Sequence, residues 1–572
     1  MRQDLGRKAG ILLLALLASI SLFYIYSHGS WPYSPSERSV LSSSHSIAPA
    51  PEQPLLDTSQ EAFWPSFSEL LAAARPQASI PNPRSHAYAL RYQWDDSATW
   101  PEDQEIDMSH EDLEDLQLKH AWFVENMMAR APALRLPYTN DTRGIVFTAG
   151  GRFLPIMLVS LLMLRDTGTT LPVEVFMSSA DEYEPAICDE VLPPLNARCV
   201  FVSDVTETSK LRFRYTKYQL KIFAILFSSF ESVLFLDADD FPVRQPDELF
   251  VSEPFLSHRM VLWPDYWTST ASSQYYSIAG LAPAAFLSTP TMEAGQILVS
   301  KAHHIPALLL AAYYNTYGEF YYPLLTQDGP GQGDKDTFLA AVRVINNLTN
   351  SPFSSSSSSS SSSLETKEPY FVHTLPEPLG HPSDYTFQGY AMIQSHPSDD
   401  FCLNHHAGNT TQPASTASSL LASPSSSPSL PSPSSPPACK FPDPRPFFLH
   451  CDRPPKLDPY SLEQRDWRMY GSAADSERRF GRDIEKAVYE KMKWVACEPG
   501  FGFSAWEDED EKHKDDKGER RGRAVTANSS KRGQGQAQES GKRSGNKTET
   551  CNRISRSYDL IFGSKTEKDG GK

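Results

Sequence analysis

No C-x-x-C pair occurs among the seven cysteines, so a zinc ribbon is excluded. Long hydrophobic runs are scarce. Hydrophobic residues make up 40% of the chain and mean hydropathy is −0.42, which excludes a polytopic membrane protein. Basic charge is in deficit: 53 Lys and Arg face 70 Asp and Glu, a net charge of −17. A general nucleic-acid binder needs a basic surface, so no nucleic-acid partner is expected. Packable sequence is also shorter than the 572 residues suggest, because 46 prolines and several serine-rich runs dilute it. With 1–110, 354–363, 407–438 and 505–572 set aside, about 350 residues remain, enough for one large domain or one domain with a subdomain.

What is present begins with a compartment signal. Ala9–Tyr26 is 18 residues without a charge, near the lower limit for a membrane-spanning helix. Arg2, Arg7 and Lys8 precede it, which keeps residues 1–8 cytosolic and sends the rest to the lumen. A cleaved signal peptide is the competing reading, but the following SHGSWPYSP lacks a clean small-x-small site. A signal anchor at 9–26 is therefore expected. Asn140, Asn347, Asn409, Asn528 and Asn546 head N-x-S/T sequons, and all seven cysteines follow the apolar run. In an oxidising lumen some would pair. Cys188 with Cys199 is the pair suggested by proximity, and an odd total leaves at least one cysteine over.

Residues 27–110, rich in Ser and Pro, are expected to form a stem, 111–504 a lumenal domain, and 505–572 a charged, disordered tail. The runs at 354–363 and 407–438 are expected to be disordered insertions within the domain. Glu111–Arg130 has the apolar spacing of an amphipathic helix. Short apolar runs at Gly144–Ala149, Val173–Met177, Cys199–Val202, Ser232–Leu236 and Met260–Trp263 then alternate with helix candidates at Phe153–Leu164, Glu184–Leu192 and Tyr215–Phe230. That alternation predicts an α/β fold, a Rossmann-like sheet flanked by helices. Strands apolar on both faces suit its buried centre.

The most informative stretch is SVLFLDADDF, Ser232–Phe241. An apolar strand ends in Asp237-Ala238-Asp239, and in open α/β sheets ligands bind beyond the carboxyl ends of strands. Two carboxylates around one small residue suit a hard divalent cation, Mn²⁺ or Mg²⁺, that bridges to a diphosphate. Such a cation would neutralise a departing nucleoside diphosphate, the chemistry of a nucleotide-sugar glycosyltransferase. A phosphatase of the haloacid-dehalogenase type is disfavoured, because Phe241 stands at the fifth motif position and about three strands precede the motif.

These residues, with GIVFTAGG (Gly144–Gly151), LRDTGTTLPVEVF (Leu164–Phe176), KYQLKIFAILFSSFESVLFLDADDFPVRQPDELF (Lys217–Phe250), WPD (Trp263–Asp265), MEAGQILVSK (Met292–Lys301) and GDKDTF (Gly333–Phe338), resemble a known family. From about Gly144 to Lys456 the chain is similar to the fungal Golgi α-mannosyltransferases of the alpha-1,3-mannosyltransferase type, glycosyltransferase family 71. The resemblance implies a GT-A type mixed sheet, a single-pass type II Golgi membrane anchor with a lumenal catalytic domain, and GDP-mannose as nucleotide-sugar donor. It also implies a mannose-containing glycan acceptor and retention of configuration in an α linkage. It assigns Asp237 and Asp239 to the metal and, with Lys221 and Gly150, to the donor. His450, in PFFLHCDRPPKLDP, becomes the third metal ligand and Lys456 a phosphate contact; His396 competes for the histidine role. Asp334, Asp336 and Glu293 become catalytic candidates on the sugar side, beside Gln296 and Asp265. Asp336 alternatively caps a helix at Thr337–Asn346. Tyr266, Trp267, Tyr275 and Tyr276 are candidates to stack on sugars. The family usually carries Asn where this chain has Asp240, which adds a carboxylate here. Two rival readings remain: the same scaffold using a UDP-sugar, and a catalytically silent Golgi scaffold.

Overall fold

A computed structural model describes residues 61–93, 105–209, 213, 215, 217–282, 289–349, 367–380, 389–407, 439–498, 500–506 and 543–563. The expected anchor at 9–26, the insertion at 354–363 and nearly all of 407–438 lie outside them. Among the described residues no helix is long and apolar enough to cross a membrane.

The strands described are β1 (Thr139–Thr148), β2 (Val173–Met177), β3 (Ala197–Phe201), β4 (Phe230–Leu236), β5 (Asp240–Pro242), β6 (Met260–Thr268), β7 (Pro290–Ser300), β8 (Tyr370–Phe371), β9 (Glu377–Leu379), β10 (Ala391–Ser395) and β11 (Pro446–His450). Among the described residues they form a seven-stranded sheet, β3-β2-β1-β4-β7-β6-β8, and a four-stranded sheet, β5-β11-β10-β9. The first four strands of the large sheet are parallel. β7 runs antiparallel between β4 and β6, so the sheet is mixed.

Side chains alternate across a strand, and both faces of this sheet are covered. Val233 and Phe235 of β4 enter one core, and Leu234 and Leu236 the other. The first core lies under α1 (Phe63–Ala73), α2 (His110–Arg130), α4 (Leu220–Phe227), α5 (Lys301–Thr316) and α6 (Lys335–Thr349). The second lies under α3 (Leu154–Arg165), α7 (Ile484–Cys497), the small sheet and α8 (Arg543–Phe562).

Two expected boundaries are corrected. Residues 61–93 do not behave as a stem. Phe63, Trp64, Phe67, Leu70 and Leu71 lie at helical spacing and are all buried in the first core. Trp64 packs edge-on against Tyr215, Phe223 and Phe227, and its indole N–H donates to the Thr206 carbonyl at 3.0 Å. Tyr92 N–H donates to the Tyr266 carbonyl at 2.7 Å, so the chain stays attached beyond the helix. Part of the expected tail, residues 543–563, is likewise packed. α8 buries Thr550, Cys551, Ile554 and Ser557 against the domain, and Cys551 is joined to Cys497.

The expected Cys188–Cys199 disulfide is present, as is Cys402–Cys439. Cys451 is the leftover thiol, buried 3.2 Å from the Tyr470 hydroxyl. Two helix expectations shrink. Tyr215–Phe230 resolves into α4, and its last residue starts β4 instead. Glu184–Leu192 holds one wide turn at Ala186–Val191, between Pro185 and Pro193.

Candidate functional site

The apolar run of β4 ends level with the end of β1 and beside the middle of β7. Leu236 pairs with Phe147 of β1 and Gln296 of β7. The next residues turn sharply and are pinned by backbone bonds. Asp237 N–H donates to the Gly295 carbonyl at 2.7 Å, and Asp240 N–H to the Asp237 carbonyl at 3.0 Å. The Ala238 carbonyl accepts from Ser160 Oγ at 2.6 Å, and the Asp239 carbonyl from Cys451 N–H at 2.8 Å. Asp240 then opens β5 opposite His450 of β11. The large sheet thus presents the two aspartates, and the small sheet delivers the histidine beside them.

The side chains form one charged network. Lys221 of α4 reaches Asp237 at 3.1 Å, Asp334 at 3.3 Å and the Ala294 carbonyl at 2.6 Å. Lys456, in the loop after β11, pairs with Asp239. His450 lies with Nε2 3.4 Å from Asp239 Oδ1 and Nδ1 3.2 Å from Glu293 Oε1. Glu293 Oε1 also accepts from Gly295 N–H at 2.7 Å. Asp237, Asp239, His450, Lys221, Lys456, Glu293 and Asp334 are therefore brought together.

Burial and charge set their protonation. Burial works against the Asp239 carboxylate, but Lys456 and then His450 outweigh it and hold it below the ordinary carboxylate range. For Glu293 burial is likewise overcome, chiefly by His450, and the group sits at about 2. Burial wins at Asp237, only partly offset by Lys221, and at Asp334, which rises to about 6. Burial also disfavours a charged Lys221 and a charged His450. The carboxylates Asp237 and Asp334 around the first, and Glu293 and Asp239 around the second, keep both protonated beyond their ordinary ranges.

Other expected residues sit elsewhere or act differently. Gly150, at φ +151° beyond β1, is packed so closely on the Glu182 carboxylate that a Cβ would lie 2.7 Å from it. It is on the same carboxyl edge of the sheet as Asp237. Asp336 does not cap a helix starting at Thr337: α6 begins at Lys335, and Asp336 Oδ1 accepts from Met292 N–H of β7 at 2.9 Å. Tyr266, Tyr275 and Tyr276 are buried at 2% exposure or less, which turns them from candidate sugar platforms into packing residues. His396 is held by Glu248 at 3.2 Å and stands edge-on to Phe447, away from the aspartates.

Two features escaped the sequence. Lys335 pairs with Asp265 at 2.6 Å and Thr291 Oγ1 at 3.1 Å, a buried pair flanking the site that no local spacing announces. Asp452, between His450 and Lys456, has its carboxyl raised to about 6 by burial. Its place in HCDRPPK was the available signal.

Among the described residues no three His, Cys, Asp or Glu side chains already form a metal shell. The chemistry of the donor set nevertheless fits a divalent cation. Five buried or half-buried carboxylates (Asp237, Asp239, Asp240, Glu293 and Asp334) face Lys221, Lys456 and His450. Both Asp240 oxygens are buried without a hydrogen-bond partner. Carboxylates with an imidazole are ligands that Mn²⁺ accepts.

Fold and site together describe an α/β protein with an acidic, lysine-bridged cleft edge. Residues 142–287 and 285–396 match a family model described as a putative mannosyltransferase. The chain is 35% identical over 332 residues to alpha-1,2-mannosyltransferase MNN21 of Candida albicans, covering 49% of this chain and 50% of that protein. It is 33% identical over 272 residues to alpha-1,2-mannosyltransferase MNN2 of Saccharomyces cerevisiae, covering 41% and 45%. The chain spans about half the length of these curated relatives. They carry the α-1,2 name rather than the α-1,3 type suggested by the sequence. A solved galactosyltransferase, LgtC, with donor and acceptor sugar analogues, overlaps 36% of this chain and 70% of its own at 16% identity. Its TM-score is 0.22, too slight a likeness to carry weight.

Proposed function

We propose that this chain is a GT-A type glycosyltransferase that moves mannose from GDP-mannose to a mannose-containing glycan. The bond made is α-linked, with retention of configuration, and α-1,2 is the linkage the relatives' names suggest. The observation that carries the reading is the Asp237–Asp239 pair at the end of β4, set between Lys221, Lys456 and His450 within the stretch similar to mannosyltransferases. Asp237, Asp239 and His450 would hold Mn²⁺ or Mg²⁺. Bound there, the cation supplies Lewis-acid neutralisation of the diphosphate leaving group. Lys221 and Lys456 would bring positive charge to the same end of the donor, and Asp334, paired with Lys221, would meet the sugar. The protein's contribution is then positioning and electrostatics. A type II Golgi placement is part of the proposal, supported by the charged flank of 9–26, the sequons and the disulfides.

The test is a donor panel. The full chain, with manganese and α-mannobiose, is given GDP-mannose, UDP-galactose, UDP-glucose or UDP-N-acetylglucosamine, and products are read by mass and linkage analysis. A trisaccharide formed from GDP-mannose with a new α-1,2 bond is the expected result. Transfer from a UDP-sugar instead would discard the mannosyltransferase assignment, and turnover of none would favour a silent scaffold.

A further inference from the structure

Glu293 is nearly buried beside His450. It sits on β7, a strand buried along its whole length between β4 and β6. Its Oε1 faces two groups only a few ångströms apart: the Gly295 N–H at 2.7 Å and His450 Nδ1 at 3.2 Å. The opposite ring nitrogen, Nε2, points to Asp239, 3.4 Å from Oδ1. Position 295 is closed to any other residue without displacement: a Cβ there would lie 2.6 Å from His450 Nδ1, 2.8 Å from Cε1 and 3.1 Å from Glu293 Oε1. The E-x-G triplet of β7 therefore forms a seat for the imidazole, with the carboxylate and the ring side by side over the glycine.

A histidine that ligates a metal through one nitrogen commonly donates its other N–H to a carboxylate, which fixes both tautomer and ring orientation. We infer that Glu293 is a positioning residue, not one that acts on the sugar. It holds the His450 ring in the Gly295 notch, with Nδ1 in ion-pair contact with the carboxylate and Nε2 turned to Asp239, where a cation would be held. The inference rests on the proposed function for the cation, and it reassigns the role the resemblance gave Glu293. The Gly295 amide anchors the carboxylate, so the chain of control runs from the β7 backbone to the metal ligand.

The experiment measures Mn²⁺ binding to the full chain by the electron paramagnetic resonance of free Mn²⁺, with no donor or acceptor present. Thermal melting with and without Mn²⁺ reports folding and linkage together. Removing such an outer partner weakens metal affinity roughly 10- to 100-fold. Glu293→Ala should show that loss. Glu293→Gln keeps an oxygen that can accept from both N–H groups and should lose less. Gly295→Ala leaves the carboxylate in place but evicts the ring, and should weaken binding as Glu293→Ala does. His450→Ala combined with Glu293→Ala should bind no more weakly than His450→Ala alone, because the glutamate acts through the histidine. Wild-type affinity in folded Glu293→Ala, or fully additive losses in the double variant, overturns the inference while leaving the functional reading intact. No Mn²⁺ binding by the wild-type chain overturns both.

Discussion

A neutral imidazole buried among aromatic rings becomes a liability in acid. His120 is 3% exposed, stacks on Tyr314 and bonds its hydroxyl at 2.8 Å, and burial lowers its ring to about 4. His304, fully buried with Nε2 3.0 Å from the His258 carbonyl, is lowered to about 4 for the same reason. The unfolded chain protonates near 6.5, so it binds more protons than the folded chain between about 6.5 and 4. The stabilisation is complete above 6.5 and is lost as pH falls, by about 3 kcal/mol for each ring. Urea unfolding at pH 7, 5.5 and 4 should show that decline, and His120→Gln should shed close to one proton's share of the slope. An unchanged slope in the variant would refute it. At the site itself the residue types were legible, because Asp-Ala-Asp after an apolar strand is a chemical statement in sequence. Their partners were not. Lys456 meets Asp239 and Lys335 meets Asp265 only after the sheets assemble. The packing of Tyr266, Tyr275 and Tyr276 could not be told from sugar stacking, because a buried and an exposed tyrosine read alike in one sequence.

At the scale of elements, local pattern found the strands that are uniformly apolar and lost β7. β7 carries Thr291, Glu293 and Gln296 at buried positions, which breaks the hydrophobic signature although every residue is inside. α1 was hidden by Pro65 and by serines at 66 and 68, in a neighbourhood that looks like stem. α8 was hidden by its polarity, since its docking depends on Cys551, Ile554 and a covalent tie rather than a broad apolar face. That tie carries a prediction. Cys551→Ser removes a cross-link spanning 54 residues, a loss on the order of 4 kcal/mol in the chain-entropy account. The loop from Asp452 to Tyr470 leans on α8, where Arg465 N–H donates to Ser557 Oγ at 3.1 Å, and the same loop carries Lys456. The variant should therefore melt lower and show a several-fold higher donor KM with a smaller change in kcat. An unchanged KM with a lowered melting point would confine α8 to stability.

For the whole molecule, the site is an assembly that no single segment contains. α4 supplies Lys221, the end of β4 the two aspartates, β7 Glu293 and Gly295, the turn before α6 Asp334, and β11 with its following loop His450 and Lys456. The general α/β layout was readable from alternating strands and helices. The antiparallel insertion of β7, and the small sheet that brings β11 to the aspartates, were not, because both depend on pairings distant in sequence. The most direct measurement is mannose transfer from GDP-mannose to α-mannobiose with manganese, comparing the wild-type chain with Asp239→Ala and confirming by thermal melting that both are folded. Product from the wild type and a fall of at least about 100-fold in the variant, of the size that loss of a central electrostatic group produces, is what the structure predicts. Undiminished transfer by folded Asp239→Ala would contradict it.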